Sequence, residues 1–277
     1  MEIGARLHHV QLLSSEPARC AEFYASVYGM TIRPEGDTQV CTGPERGLIL
    51  APGQPNQLGY AALAFSSVAE FAAYRGTIEA RVVAQPALSP LFEEGAFTVT
   101  DPDGNRIMFG VDGKDSSIQG QKTDLPPARL QHFAVRSADP AKLRTYYRDT
   151  LGFVVSDSVY DEQQNLRACF LRTDREHHAM AVFHAEHRCH DHLSFETADW
   201  PAVRDWADRI AMLKVPIVWG IGRHGPGNDT FFMVRDPDGN LAEISAELEV
   251  CGSTRAEGRW PHEQRTLNLW GSAIMRS

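Results

Sequence analysis

The chain has 277 residues, 43% hydrophobic and 23% charged, which is enough for a sizeable core and outside the range of disordered polypeptides. Its formal net charge of −9 argues against a generic nucleic-acid-binding face, and no apolar run approaches the roughly 20 residues that cross a bilayer. Five scattered cysteines (Cys20, Cys41, Cys169, Cys189, Cys251) and an opening, MEIGARLHHV, without the build of a secretory leader lead to the expectation of a cytoplasmic protein with free thiols.

Taken in chain order, LHHVQLL from Leu7 reads as a strand, followed by a helix with Pro17 in its first turn and Ser15 as expected N-cap. Tyr60–Phe65 reads as a strand leading to a helix near Val68–Tyr74. FTVT and NRIMFG then form two strands joined by the turn Asp101–Asn105, DPDGN. Asp112–Pro127, rich in Gly, Ser, Lys and Pro, is the expected linker. The order then recurs. LQHFAVR precedes a helix with Asp139 as N-cap, Leu143, Tyr146, Tyr147 and Thr150 on one face, and Gly152 as left-handed exit. His192–Glu196 leads into a helix over Ala202–Ile210, with Val203, Trp206, Ala207 and Ile210 as its apolar stripe. FFMVR and NLAEIS flank a second DPDGN at Asp236–Asn240.

The two halves are copies. At an offset of 123, Leu7 meets Leu130, His9 meets His132, Tyr24 meets Tyr147 and Gly29 meets Gly152; the two DPDGN turns are 135 apart. The expected fold is α+β: two tandem domains, residues 1–115 and 128–277, each of two βαβββ modules forming a curved, barrel-like mixed sheet. Aligning GYAALAF with CHDHLSF sets Ala62 against His192, and the strands after DPDG set Met108 against Glu243. His132, His192 and Glu243 in the second half are therefore the candidate metal ligands: two imidazoles and one carboxylate on strands suit a non-haem Fe(II) site with open positions. The first half lacks this set, so one metal per chain is expected.

The fourfold module and this trio resemble the vicinal oxygen chelate superfamily, and specifically its type I extradiol ring-cleaving dioxygenases. The resemblance rests on LQHFAVRS around His132, HDHLSFE around His192, and GRHGPGN…RDPDGNLAEIS ending in Glu243. It implies a degenerate, metal-free N-terminal domain and a C-terminal catalytic domain holding Fe(II), with Mn(II) as the alternative. O₂ is the implied cosubstrate and a catechol-type aromatic diol the substrate, in aromatic catabolism by a homo-oligomer. It further implies His178, fourteen positions before His192, as acid–base, and His224, nineteen before Glu243, as a substrate-oxygen partner. The family's tyrosine ten positions before the glutamate is replaced by Met233. Two alternatives share the fold: a glyoxalase-like metal-dependent lyase or isomerase, and a metal-free small-molecule-binding protein.

Several residues receive a plainer reading. His8 and His9 are relics of the duplicated strand, and Asp101 and Asp236 are turn formers. His184, His187 and His190 belong to an exposed turn, so a zinc cluster with Cys189 is disfavoured. Trp219, Trp260 and Trp270 are core or pocket walls, and the glycines of Gly222–Gly227 do not form a dinucleotide-binding turn.

Overall fold

The computed structural model describes residues 2–87, 89–113 and 125–275; most of the expected linker, 114–124, lies outside them. The first half runs β1 (Arg6–Ser14), α1 (Pro17–Tyr28), β2 (Thr31–Glu35), β3 (Thr38–Gly43), β4 (Arg46–Pro52), then β5 (Gln57–Phe65), α2 (Val68–Ile78), β6 (Gln85–Pro86), β7 (Phe97–Thr100) and β8 (Arg106–Val111). The second repeats it: β9 (Ala128–Ser137), α3 (Pro140–Thr145), β10 (Val154–Tyr160), β11 (Leu166–Arg172), β12 (Met180–His184), then β13 (Cys189–Thr197), α4 (Trp200–Met212), β14 (Trp219–Arg223), β15 (Thr230–Arg235) and β16 (Leu241–Ala246). A tail adds β17 (Gly258–Pro261) and α5 (Gln264–Leu267). These are the four βαβββ modules, in an α+β fold.

Each half forms one mixed sheet. The orders are β2-β3-β4-β1-β5-β8-β7-β6 and β14-β15-β16-β13-β9-β12-β11-β10-β17, the same order read from opposite ends, with β17 added. Both sheets stay open at their edges; neither closes into a barrel. β5 and β13 pair antiparallel with β1 and β9, and parallel with β8 and β16. The two modules of each half therefore meet at the strands that open them.

The helices cover one side of the sheets and make one apolar core with residues from both halves, among them Tyr24, Tyr28, Phe109, Phe195 and Trp206. Tyr28 of α1 lies 4.6 Å from Phe195 of β13 and 5.9 Å from Trp206 of α4, ring centre to ring centre. The turn aspartates join this packing. Oδ1 of Asp101 accepts from the Asp103 and Asn105 amides, and Oδ1 of Asp236 accepts from those of Asp238 and Asn240. Their second oxygens accept from tyrosines of the opposite half, Tyr147 to Asp101 at 2.9 Å and Tyr24 to Asp236 at 3.2 Å.

Local expectations fare unevenly. Asp139 caps α3 by accepting from the Lys142 amide, whereas Ser15 does not cap α1. Its hydroxyl is engaged by Asp238 instead, and Glu16 holds the cap position without a side-chain bond. The helix from Pro140 widens into a π turn over Tyr146–Thr150. That leaves Leu143 and Tyr147 buried but Tyr146 only half-buried.

Candidate metal centre

β13 lies between β9 and β16, and one rung of this ladder sets His132, Ser194 and Glu243 side by side. His192 sits two residues along β13 from Ser194, on the same face. The trio thus converges on one side of three adjacent strands. His132 Nε2 is 3.1 Å from His192 Nε2 and 3.7 Å from Glu243 Oε1, and one ligand atom from each residue lies within 4.8 Å of the others. All three side chains are buried.

Hydrogen bonds behind the histidines decide what they present. Gln131 donates its amide to the His178 carbonyl and the Glu176 carboxylate, so its Oε1 is left to accept from His132 Nδ1 at 2.6 Å. Asp191 Oδ1 accepts from His192 Nδ1 at 2.6 Å, while its Oδ2 accepts from Arg136 at 2.6 Å. With the proton on each Nδ1, both Nε2 atoms carry bare lone pairs that face each other. Two such acceptors at hydrogen-bond distance repel unless a cation lies between them. Burial pushes His132 down to about 3, so it stays neutral.

Burial alone would push the Glu243 carboxyl up, but His224 and the two ligand imidazoles bring it well below its ordinary range. Ser194 donates to its Oε1 at 2.7 Å; its Oε2 has no hydrogen bond among the described residues, though His224 Nε2 approaches to 3.5 Å. Two imidazole nitrogens turned toward each other, a carboxylate held below its ordinary range and an under-satisfied buried oxygen fit a divalent metal ion.

His178 and His224 border the same cavity. The His178 ring is 4.3 Å from that of His132, and burial, then the charge of neighbouring histidines, holds it well below the usual imidazole range. His224 stacks on Phe231 at 3.8 Å and donates Nδ1–H to the Leu267 carbonyl at 2.5 Å. Burial works downward on it, but Asp229 and Glu243 prevail and raise it. The remaining wall is apolar: Phe170, Ala181, Phe183, Trp219, Pro226, Met233 and Leu267.

The sequence reading missed four partners. Gln131 and Asp191 each immediately precede a ligand histidine and occupy a β-bulge; the extra residue brings neighbouring side chains to the same side of the strand. The adjacent pairs Gln131–His132 and Asp191–His192 were the available signal. Asp157 touches His177 behind His178, a contact nothing in the sequence announces. Asp229 forms a second group with His224 and Glu243, again within 4.8 Å. Neither carboxylate oxygen has a hydrogen-bond partner among the described residues. Burial raises its carboxyl, against the pull of His224 and helped by the charge of Glu243.

Three sequence expectations need correction. The first-half rung matching His132–Ser194–Glu243 is His9–Ala62–Met108, so the counterpart of His192 is Tyr60 and not Ala62. His190 is buried in β13 and not part of an exposed turn, although His187 is exposed. Trp219 is a pocket wall and Trp260 binds Asp157, but Trp270 is exposed. In the first half His9 is tied at both nitrogens, to His8 and Ser89 at 2.8 Å each, and Tyr60 and Phe92 fill the space beside it. Among the described residues Cys189 joins no metal-holding group, all five cysteines are free, and no helix is long and apolar enough to cross a membrane.

The open mixed sheets of paired βαβββ modules and the His–His–Glu cluster define a class. Residues 129–244 match the model of the Glyoxalase/Bleomycin resistance protein/Dioxygenase superfamily. Metapyrocatechase 2 of Cupriavidus necator is 26% identical over 205 residues, 66% of this chain and 62% of that protein, so the match spans less than two thirds of the relative. The Mn(II)-bound glyoxalase of Novosphingobium aromaticivorans superposes with a TM-score of 0.80 at 25% identity, covering 98% of this chain and 93% of that one. Homoprotocatechuate 2,3-dioxygenase of Arthrobacter globiformis shares the fold at a TM-score of 0.81 and 22% identity, over 98% and 88% of the two chains.

Proposed function

We propose that this protein is an Fe(II)-dependent extradiol dioxygenase that opens a catechol-type ring beside its two hydroxyls and incorporates both atoms of O₂. The observation that carries the reading is the pair of Nε2 atoms 3.1 Å apart, with Gln131 and Asp191 at the Nδ1 atoms behind them and the buried Glu243 beside them. His132, His192 and Glu243 would hold the metal. When bound, it supplies Lewis acidity toward the diol and an electron path between diol and oxygen, which Fe(II), or Mn(II) with similar ligands, provides.

The chain's own residues do the rest. The apolar wall of Phe170, Phe183, Trp219 and Leu267 accepts an aromatic ring and excludes water. His178, neutral and bordering the cavity, takes a proton from a substrate hydroxyl and returns it to the product. His224, fixed by the Leu267 carbonyl, presents Nε2 toward Glu243 and the substrate oxygens. In this reading residues 128–277 are the catalytic domain and residues 1–115 a metal-free copy whose core is closed by Phe92 and Tyr60. A cytoplasmic homo-oligomer acting in aromatic catabolism belongs to the same proposal.

The test is oxygen uptake by anaerobically Fe(II)-loaded protein across a panel of catechols. Catechol-dependent uptake with a yellow ring-opened product is expected, and His132→Ala or Glu243→Ala should lose metal and turnover together. A metal-dependent glyoxalase-type lyase or isomerase is the second reading, favoured by the Mn(II)-bound neighbour and by Asp229, a second carboxylate beside Glu243. No uptake by metal-loaded protein would select it.

A further inference from the structure

We infer that Asp157 and His177 form a fixed line behind His178 and determine which of its nitrogens faces the pocket; this rests on the role given to His178 above. Asp157 lies on β10, and the two histidines lie between β11 and β12; all three are buried. His178 Nδ1 is 3.0 Å from His177 Nδ1. His177 Nε2 is 3.1 Å from Asp157 Oδ2, close enough for the carboxylate to keep a proton on that nitrogen, although off the axis of an ideal hydrogen bond.

Asp157 is built to remain an anion. Its Oδ1 accepts from Arg255 at 2.7 Å and the Gly258 amide at 3.0 Å, and its Oδ2 accepts from Trp260 Nε1 at 2.9 Å. Burial pushes the carboxyl up, but His177 and Arg255 bring it down to about 2. Glu249, Arg255 and the histidines His132, His192 and His224 also act on this cluster, with Asp229 beyond Gly227. Gly227 has φ +80°, and a Cβ there would lie 3.1 Å from His177 Nδ1 and 3.2 Å from Asp229 Oδ1, so its bareness keeps the histidine in place.

The tautomers follow in order. An anion at Nε2 of His177 keeps the proton there, which gives Nδ1 of His177 the acceptor role toward His178. That nitrogen accepts Nδ1–H of His178, and His178 presents a bare Nε2 to the cavity. This is the form required of a proton acceptor, selected as a buried carboxylate selects a tautomer behind a catalytic imidazole. Asp157 and His177 are positioning residues; neither borders the cavity. Asp157 also ties β17 to β10 through Arg255, the Gly258 amide and Trp260, and none of these bonds involves His177.

The test reads ring-nitrogen protonation by NMR on the Zn(II)-loaded full chain carrying ¹⁵N-labelled histidine, with His178 assigned from the signals missing in His178→Asn. The expected wild-type form of His178 is protonated at Nδ1. In Asp157→Asn the amide oxygen keeps Arg255 and Gly258, so its NH₂ faces His177 and the bond from Trp260 is lost. The line then reverses, and the His178 proton moves to Nε2. A wild-type His178 protonated at Nε2, or no change in Asp157→Asn, overturns the inference.

Turnover on catechol by the Fe(II) form gives a second reading. His177→Leu should lower kcat about 10- to 100-fold, at or below the roughly 10²–10⁴-fold contribution of a general acid–base group itself, with KM within about twofold. His177→Gln, whose amide can accept from His178 and donate to Asp157, should recover most of it. Impaired His178→Asn with unimpaired His177→Leu overturns the line and leaves the role of His178 standing. Full turnover in His178→Asn removes that role, and the tautomer measurement then decides the line by itself.

Discussion

Replacing Asp191 by asparagine tests whether the hydrogen bond behind His192 is part of the metal site. Both carboxylate oxygens act as acceptors, Oδ1 from His192 Nδ1 and Oδ2 from Arg136, each at 2.6 Å. Asparagine has one acceptor oxygen, so its NH₂ must face one of these donors. Whichever way the amide turns, a short charge-assisted bond is lost in a buried place, at about 1.5–3 kcal/mol. If the amide turns its NH₂ to His192, the ring must move its proton to Nε2 and loses the lone pair it offers. Metal affinity should therefore fall about 10- to 100-fold, with the fold intact. Competition between the protein and a chromogenic chelator for Zn(II) or Fe(II) gives the dissociation constants of the two proteins. An affinity within about twofold of wild type would show that Asp191 serves Arg136 alone and refute the reasoning.

The reciprocal tyrosines give a stability test: Tyr147→Phe and Tyr24→Phe should each cost about 1 kcal/mol in urea unfolding, because each removes one of the two side-chain donors, tyrosine and asparagine, to a buried aspartate oxygen. The Asp157 carboxyl titrates below its unfolded value, so its stabilisation is present above about pH 4 and is lost as pH falls toward about 2. Asp157→Asn should consequently lose less stability on acidification than wild type, and parallel acid slopes would refute this assignment. Met233 is fully buried opposite Glu243 on the pocket wall. Met233→Tyr should narrow the cavity and change the ranking of catechols by kcat/KM; an unaltered ranking would remove Met233 from the site.

The modules were legible because periodicity and turn chemistry are local. DPDGN marks the same turn twice, and the strand bearing His132 announces itself by its likeness to the strand bearing His9. The three candidate ligands were legible as a difference between copies. The register was not: pairing Ala62 with His192 follows from matching the phenylalanines Phe65 and Phe195, but Leu7 pairs with Leu63 where Leu130 pairs with Phe195, so Phe195 matches Leu63 and His192 matches Tyr60. Register is set by how two strands pair, and neither strand's composition alone reveals it. Ser15 shows the same limit, since its expected cap was overridden by Asp238, distant in sequence. His190 was read as exposed from its polar neighbours, whereas strand pairing buries it.

The crossed bonds from Tyr24 to Asp236 and from Tyr147 to Asp101 bear on why both copies are present. Phe195, next to Ser194 on the strand that carries His192, rests on Tyr28 of the opposite copy. The half that contributes none of the three clustered donors is thus the backing plate of the strand that holds one of them. The two copies pack like the subunits of a dimer joined in one polypeptide, each completing the other's interior. The first copy fills its own cleft with Phe92 and Tyr60 while its helices share a core with the second. Separate expression of either half would expose the interface on which the other depends.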